Sequence, residues 1–411
     1  MSLRITAIIL LLTLTPALVG QAQEATCVRD GDTLHYNYTP LPAAADTAAA
    51  AAPAKRGNIF HRIVDYFGQS TVDRTFEKKI DFTFAGGPSY SKNTSLGIGL
   101  LAAGLYRVDR TDSVTQPSNV SIFASGSISG FYSIGVTGNN VWDHNGQRIN
   151  YSVIFSSSPR DLWGIGYDAG RHNPELTYTE KRYRVEASYL YRILPGTYVG
   201  GLLNFQHTAG KKFPDSAFTE EYLGTAAATR YTTTGVGAVI EYDTRDFIPN
   251  PARGLYFSLQ VTWFPKPLGS CDKSLWRTTF TGDWYRTLWK GGILATDLYA
   301  EFNSNGTPWP MLARMGGSYR MRGYYEGRYT DNDLITAQIE LRQCIWRRIG
   351  CTVWAGAGNV FPELERFSWR QTLPNYGIGL RWELKKRVNI RLDYGFGKKT
   401  SGFMLNLNEA F

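Results

Sequence analysis

From about residue 80 to the end of the chain, apolar side chains recur at every second position. Successive side chains of a strand point to opposite faces, so this period predicts strands with one apolar and one polar face. Candidate strands fall at 80–86, 95–107, 119–127, 130–141, 147–157, 161–170, 181–193, 197–207, 233–244, 254–265, 275–289, 292–302, 334–345, 350–360, 376–386, 388–396 and 402–411. That run is one more than sixteen, and single-chain bacterial barrels have an even number of strands. Gly86-Gly87-Pro88 follows the first candidate at once, so 80–86 reads as a lead-in and the wall is expected to begin near Ser95. A helical period shows in Gly57–Ser70, where Ile59, Phe60, Ile63, Val64 and Phe67 predict a short amphipathic helix.

The faces can be assigned from the alternation. Ile378, Leu380 and Trp382 share one side of their strand, against Arg381 and Glu383. Ile390, Leu392 and Tyr394 oppose Arg391 and Asp393, and Ile339 and Leu341 oppose Glu340 and Arg342. An arginine or lysine facing lipid at mid-depth costs roughly 2–4 kcal/mol. The charged faces must therefore turn inward, where opposite signs can pair. Short connections such as Leu194-Pro195-Gly196 and Lys290-Gly291-Gly292 alternate with long ones near 208–232, 303–333 and 361–375. Short periplasmic turns and long outer loops are the habit of outer-membrane barrels. The last strand carries Phe403, Leu405, Leu407 and the final Phe411 on one face, which looks like a C-terminal assembly signal of such barrels. The expected fold class is all-β, a transmembrane antiparallel β-barrel of about sixteen strands. Closed barrels and helices alone satisfy every backbone polar group in lipid.

Composition agrees. Tyr, Phe and Trp number 25, 21 and 11, with 42 Gly, yet mean hydropathy is only −0.27. Arg4 followed by the apolar run Ile5–Leu14 and by Gly20-Gln21-Ala22 reads as a signal peptide over 1–22. Residues 23–56 read as a periplasmic tether, because Leu41–Ala54 is almost all Ala and Pro. Residues 57–79 then hold the helix and lead-in, and 80–411 the barrel. The net charge of +9 points to lumen pairing and lipid phosphates rather than to nucleic acid, given export. Cys344 and Cys351 flank a predicted hairpin turn and would suit a cross-strand disulfide, or else stay unpaired. None of the five His has zinc-ligand spacing and no Gly-x-Ser-x-Gly elbow is present, so no enzyme, cofactor or metal site is expected.

Three segments go further. Glu241–Gly254 contains Asp243, Arg245, Asp246, Pro249, Pro251 and Gly254; Arg320-Met321-Arg322-Gly323-Tyr324 lies in the long loop 303–333; the terminal run carries Arg381, Arg391-Leu392-Asp393-Tyr394-Gly395 and Phe411. In this order they resemble the BamA/TamA family of outer-membrane barrels, the bacterial surface antigen type, from about residue 230 onward and more weakly from 80. The resemblance implies that the sixth outer loop folds into the lumen and is pinned at Arg322-Gly323-Tyr324 by Glu340 and Asp393. An arginine in a narrow lumen must be paired, and a carboxylate pairs it best. Asp243, Arg245 and Asp246 read as pinning a periplasmic turn rather than as an acid–base cluster. One position departs from the pattern: Gly356 stands where the family strand carries an inward Asp. The Ala/Pro tract also leaves no room for the POTRA repeats of the family, so the chain reads as a POTRA-less member.

The function expected from these readings is an accessory factor in outer-membrane protein assembly or transport. Its partners would be outer-membrane lipid and lipopolysaccharide, together with periplasmic or outer-membrane proteins. A structural envelope-tethering barrel and a passive diffusion pore are the alternatives.

Overall fold

The computed structural model describes residues 28–30, 33–35 and 75–411, apart from 77–78, 92–93, 113–114, 225–226, 249, 386–387 and 408. The expected signal peptide and helix 57–70 lie outside these residues. Within the stretch read as tether, Val28–Asp30 and Thr33–His35 pair as a small antiparallel hairpin.

The barrel is closed and antiparallel, with sixteen strands in sequence order. They are β1 (Asp81–Ser91), β2 (Ser95–Tyr106), β3 (Ser118–Ser127), β4 (Tyr132–Trp142), β5 (Gln147–Leu162), β6 (Leu176–Leu194), β7 (Thr197–Lys211) and β8 (Arg230–Asp243). The second half is β9 (Gly254–Phe264), β10 (Leu275–Trp289), β11 (Gly292–Asn303), β12 (Asp333–Trp346), β13 (Ile349–Phe361), β14 (Leu373–Lys385), β15 (Val388–Gly397) and β16 (Thr400–Leu407).

Two strand readings need correction. The lead-in 80–86 is part of the first wall strand, which pairs with β2 from Asp81↔Leu105 to Ser91↔Ser95. The separate strand expected at 161–170 does not form: β5 runs unbroken to Leu162, and Tyr167–His172 is a single helical turn. A proline lies inside both strands. Proline removes a ladder donor and is tolerated where one side of a strand is unpaired. Pro159 pairs with Thr179 on one side, but β4 begins only at the level of Ser157 on the other. Pro88 pairs with Ile98 on β2, while its other side faces the seam with β16.

That seam is the weak place in the wall. β16 and β1 share one register pair, Leu405↔Tyr90, among the described residues, whereas β5 and β6 are paired from Gln147↔Tyr191 to Leu162↔Leu176. The last strand also stops short. Phe403 faces outward, but the chain leaves the wall after Leu407, and Glu409 and Ala410 are buried. Phe411 therefore does not continue the apolar outer face expected of it. Its ring sits beside Tyr285 (6.4 Å) and Arg342 (5.3 Å), both on inner faces.

The lumen is lined unevenly. On β2 and β3 the positions opposite the apolar outer face include Gly97, Gly99, Ala103, Ser121 and Ser125, together with the apolar pair Leu101 and Phe123. On β11, β12, β14 and β15 they include Asp297, Glu340, Arg342, Arg381, Arg391 and Asp393, while β13 turns Thr352, Trp354 and Gly356 inward. Ile378, Leu380 and Trp382 are exposed outward, while Arg381, Arg391, Asp393 and Glu340 are buried inside.

Candidate functional site: an arginine lock in the lumen

The sixth outer connection, 304–332, runs between β11 and β12 and folds inward. It contains a hairpin, Ala313–Met315 paired with Tyr329–Asp331, and an apolar cluster ties it to the wall through Met315, Met321, Tyr324 and Leu334. Arg322 at its tip is fully buried. Its Nη2 lies 2.6 Å from Glu340 Oε2, and its Nη1 donates to Asp393 Oδ2 at 2.9 Å. The guanidinium also lies over the face of Trp354, 3.7 Å from the ring centroid. A cation against an aromatic face adds on the order of 2 kcal/mol when both are desolvated.

The network continues beyond the loop. Asp393 also holds Arg381 (2.6 Å) and Arg391 (3.1 Å), and Glu340 holds Arg342 (2.8 Å). Glu409 from the inturned C-terminus joins Arg381 at 2.7 Å and accepts from Asn389 Nδ2 at 2.6 Å. Arg342 Nη2 donates to the Phe411 carbonyl at 2.8 Å. These contacts draw the end of the chain off the wall. Glu383, two residues beyond Arg381, lies nearer the periplasmic end, where its N–H donates to the Arg348 carbonyl (2.8 Å).

Backbone fit completes the lock. Gly323 has φ 103°, and a Cβ there would meet the Gly395 carbonyl carbon and oxygen at 2.6 Å. Gly395 would in turn strike the Arg322 carbonyl at 2.3 Å. Two glycines thus let loop and wall touch main chain to main chain. Tyr324 donates to the Pro374 carbonyl (2.8 Å) and accepts from the Lys398 N–H (2.7 Å). Gly323→Ala is expected to unseat the tip, and trypsin cleavage of the loop in the folded barrel, absent in wild type, is the measurement.

Gly356, where the family pattern has an acid, pairs with Gln338, and a Cβ there would meet the Ala337 carbonyl oxygen at 2.7 Å. The tip is held instead by Glu340, Asp393 and the face of Trp354. Alternation alone could have found a second anchor: Arg320 grips Asp297 with two nitrogens (2.9 and 2.7 Å). A third, Arg314 with Glu180 at 2.8 Å, joins the loop hairpin to β6 and carried no sequence signal beyond an inward charge.

At the periplasmic end, Asp243 binds Arg245 through two contacts of 3.0 Å, and Arg245 stacks on Tyr256 at 4.1 Å. Asp246 Oδ1 accepts from the Ala252 N–H at 2.9 Å. Gly254 begins β9 with φ 115°. These groups tie the turn 244–253 to itself and to the barrel rim. Cys344 and Cys351 are free. Cys344 lies opposite Gly350, and Cys351 opposite Gln343, so the two thiols point to opposite faces of the sheet and no disulfide joins them.

The barrel has a counterpart in sequence. The Omp85 superfamily domain model matches residues 119–411. The chain belongs to the Omp85 superfamily. As an Omp85 barrel it lies in the outer membrane. Among solved structures it is similar to BamA from Haemophilus ducreyi lacking POTRA domains 1–3, at 12% identity and a TM-score of 0.51, covering 80% of this chain and 70% of that one. It is also similar to CdiB from Escherichia coli, at 10% identity and TM-score 0.53, covering 80% of this chain and 62% of that one. CdiB from Acinetobacter baumannii gives 11% and 0.51, covering 81% of this chain and 60% of that one. The chain thus spans less than two thirds of either CdiB chain. At these identities the likeness is one of fold. No curated protein matches the sequence.

Proposed function

We infer that this Omp85 barrel is an accessory factor in outer-membrane protein assembly or transport, working with partner proteins. The seam carries the reading. Among the described residues the wall is joined at this seam by the single register pair Leu405↔Tyr90, which makes it the least paired edge of the barrel. Such an edge is a template for strand addition. Pro88 and the pair Gly86-Gly87 weaken β1 as a closing strand, and the contacts to Glu409 and Phe411 hold the end of the chain away from the wall. The locked loop meanwhile blocks the lumen, which favours passage along the seam over passage through the pore.

Depleting the protein and measuring the outer-membrane levels of other barrels tests this. A fall in one or more of them is expected, and unchanged levels would reject the assembly reading. The plugged lumen also sets an expectation for the pore alternative. In planar bilayers the intact barrel should show small conductance, and deletion of 316–328 should raise it severalfold. A large steady conductance in the intact protein would favour passive diffusion instead.

A further inference from the structure

The periplasmic rim is charged unevenly around the barrel. By sequence, the first four periplasmic connections, 107–117, 143–146, 195–196 and 244–253, hold four arginines and four aspartates. Of the last three, the described turns 290–291 and 347–348 hold Lys290, Arg347 and Arg348, with Glu383 of β14 beside them. Arg286 adds a further exposed base to this sector, on the outward side of β10 next to Trp284.

The same sector is the most tryptophan-rich part of the wall. Trp284, Trp289, Trp346 and Trp382 all lie near the periplasmic ends of β10, β12 and β14, and all are exposed. Leu288 and Ile345 are exposed among them. Trp289 is fixed by its Nε1 donating to Gln343 Oε1 at 2.7 Å, and the Arg347 guanidinium lies 5.1 Å from the Trp346 ring. Bases and indoles therefore alternate along one arc, at the level where hydrocarbon gives way to headgroups.

We propose that this arc, from β10 to β14, binds the phosphate headgroups of anionic phospholipids in the inner leaflet of the outer membrane. The direction of the side chains selects lipid over an acidic soluble protein. Trp284 and Trp382 alternate with the inward Asp283, Tyr285 and Arg381, so their rings face sideways into the membrane and not down into the periplasm. A phosphate lying between these rings meets the bases of the turns, while its acyl chains run along Leu288 and Ile345.

The test uses the whole chain in a neutral detergent, offered phosphatidylglycerol or phosphatidylcholine, with retained lipid read by native mass spectrometry. Phosphatidylglycerol should be retained at least about tenfold better, since each base near an anionic lipid surface adds to the attraction. The Lys290→Gln/Arg347→Gln/Arg348→Gln variant should lose that preference, while Arg347→Lys/Arg348→Lys and the control Arg253→Gln should keep it. Equal retention of the two lipids by wild type, or an unchanged preference in the triple variant, overturns the proposal. Displacement of the lipid by polyglutamate at matched charge would also overturn it, by pointing to an acidic polypeptide. None of these readouts depends on a client protein, so the assembly reading stands or falls separately.

Discussion

Asp393→Ala is expected to destabilise the barrel more than Arg322→Ala does. Among the described residues the lock sets four guanidiniums, Arg322, Arg342, Arg381 and Arg391, against three carboxylates, Glu340, Asp393 and Glu409. Removing one partner of a buried ion pair costs roughly 3–5 kcal/mol, because the other charge is left uncompensated. Loss of Arg322 leaves Glu340 with Arg342 and Asp393 with Arg381 and Arg391, so its cost falls at or below the low end, about 3 kcal/mol. Loss of Asp393 leaves Arg391 with no carboxylate and takes one of the partners of both Arg322 and Arg381, which keep Glu340 and Glu409, so its cost falls at the upper end, about 5 kcal/mol. The temperature at which the folded band disappears on electrophoresis measures both. Equal shifts, or a larger one for Arg322→Ala, would contradict the charge count. Arg322→Ala should have its own signature, since it frees the loop to protease while the strands stay folded.

Cross-linking the seam should have the larger effect on activity. Tyr90 and Leu405 face each other directly, at a spacing that two cysteines can bridge. Tyr90→Cys/Leu405→Cys is expected to fold and, once oxidised, to fail to restore the outer-membrane barrels lost on depletion. Reductant should bring the restoration back. If the oxidised form complements as well as wild type, opening of this seam plays no part in the function.

The barrel was legible because its rule is local. Each strand needs one apolar face, so Ile378, Leu380 and Trp382 betray the inward Arg381 without any knowledge of what it meets. The network of Arg322, Glu340 and Asp393 was legible for a related reason: charges that cannot face lipid are confined to one surface, and few partners remain. What stayed hidden depends on neighbours in space. Pro88 and Pro159 look like strand breakers until the height of the adjoining strand is known. The inward turn of Glu409–Phe411 cannot be read from alternation, which continues smoothly through it. It is decided by Arg342, Arg381 and Asn389, which lie on three other strands. The place of Trp354 under a guanidinium was not legible either, because it depends on how deep the loop reaches.

The seats of Arg322 also bear on the order in which the molecule is built. Glu340 comes shortly after the loop, but Asp393 is 71 residues away on the penultimate strand, and Gly395 beside it is the surface on which Gly323 rests. A chain emerging from its N-terminus has no complete socket for this side chain until nearly its whole length is available. Burial of the arginine is therefore a report of completion: a barrel lacking its final strands would keep a long loop without its socket, open to any protease that inspects it.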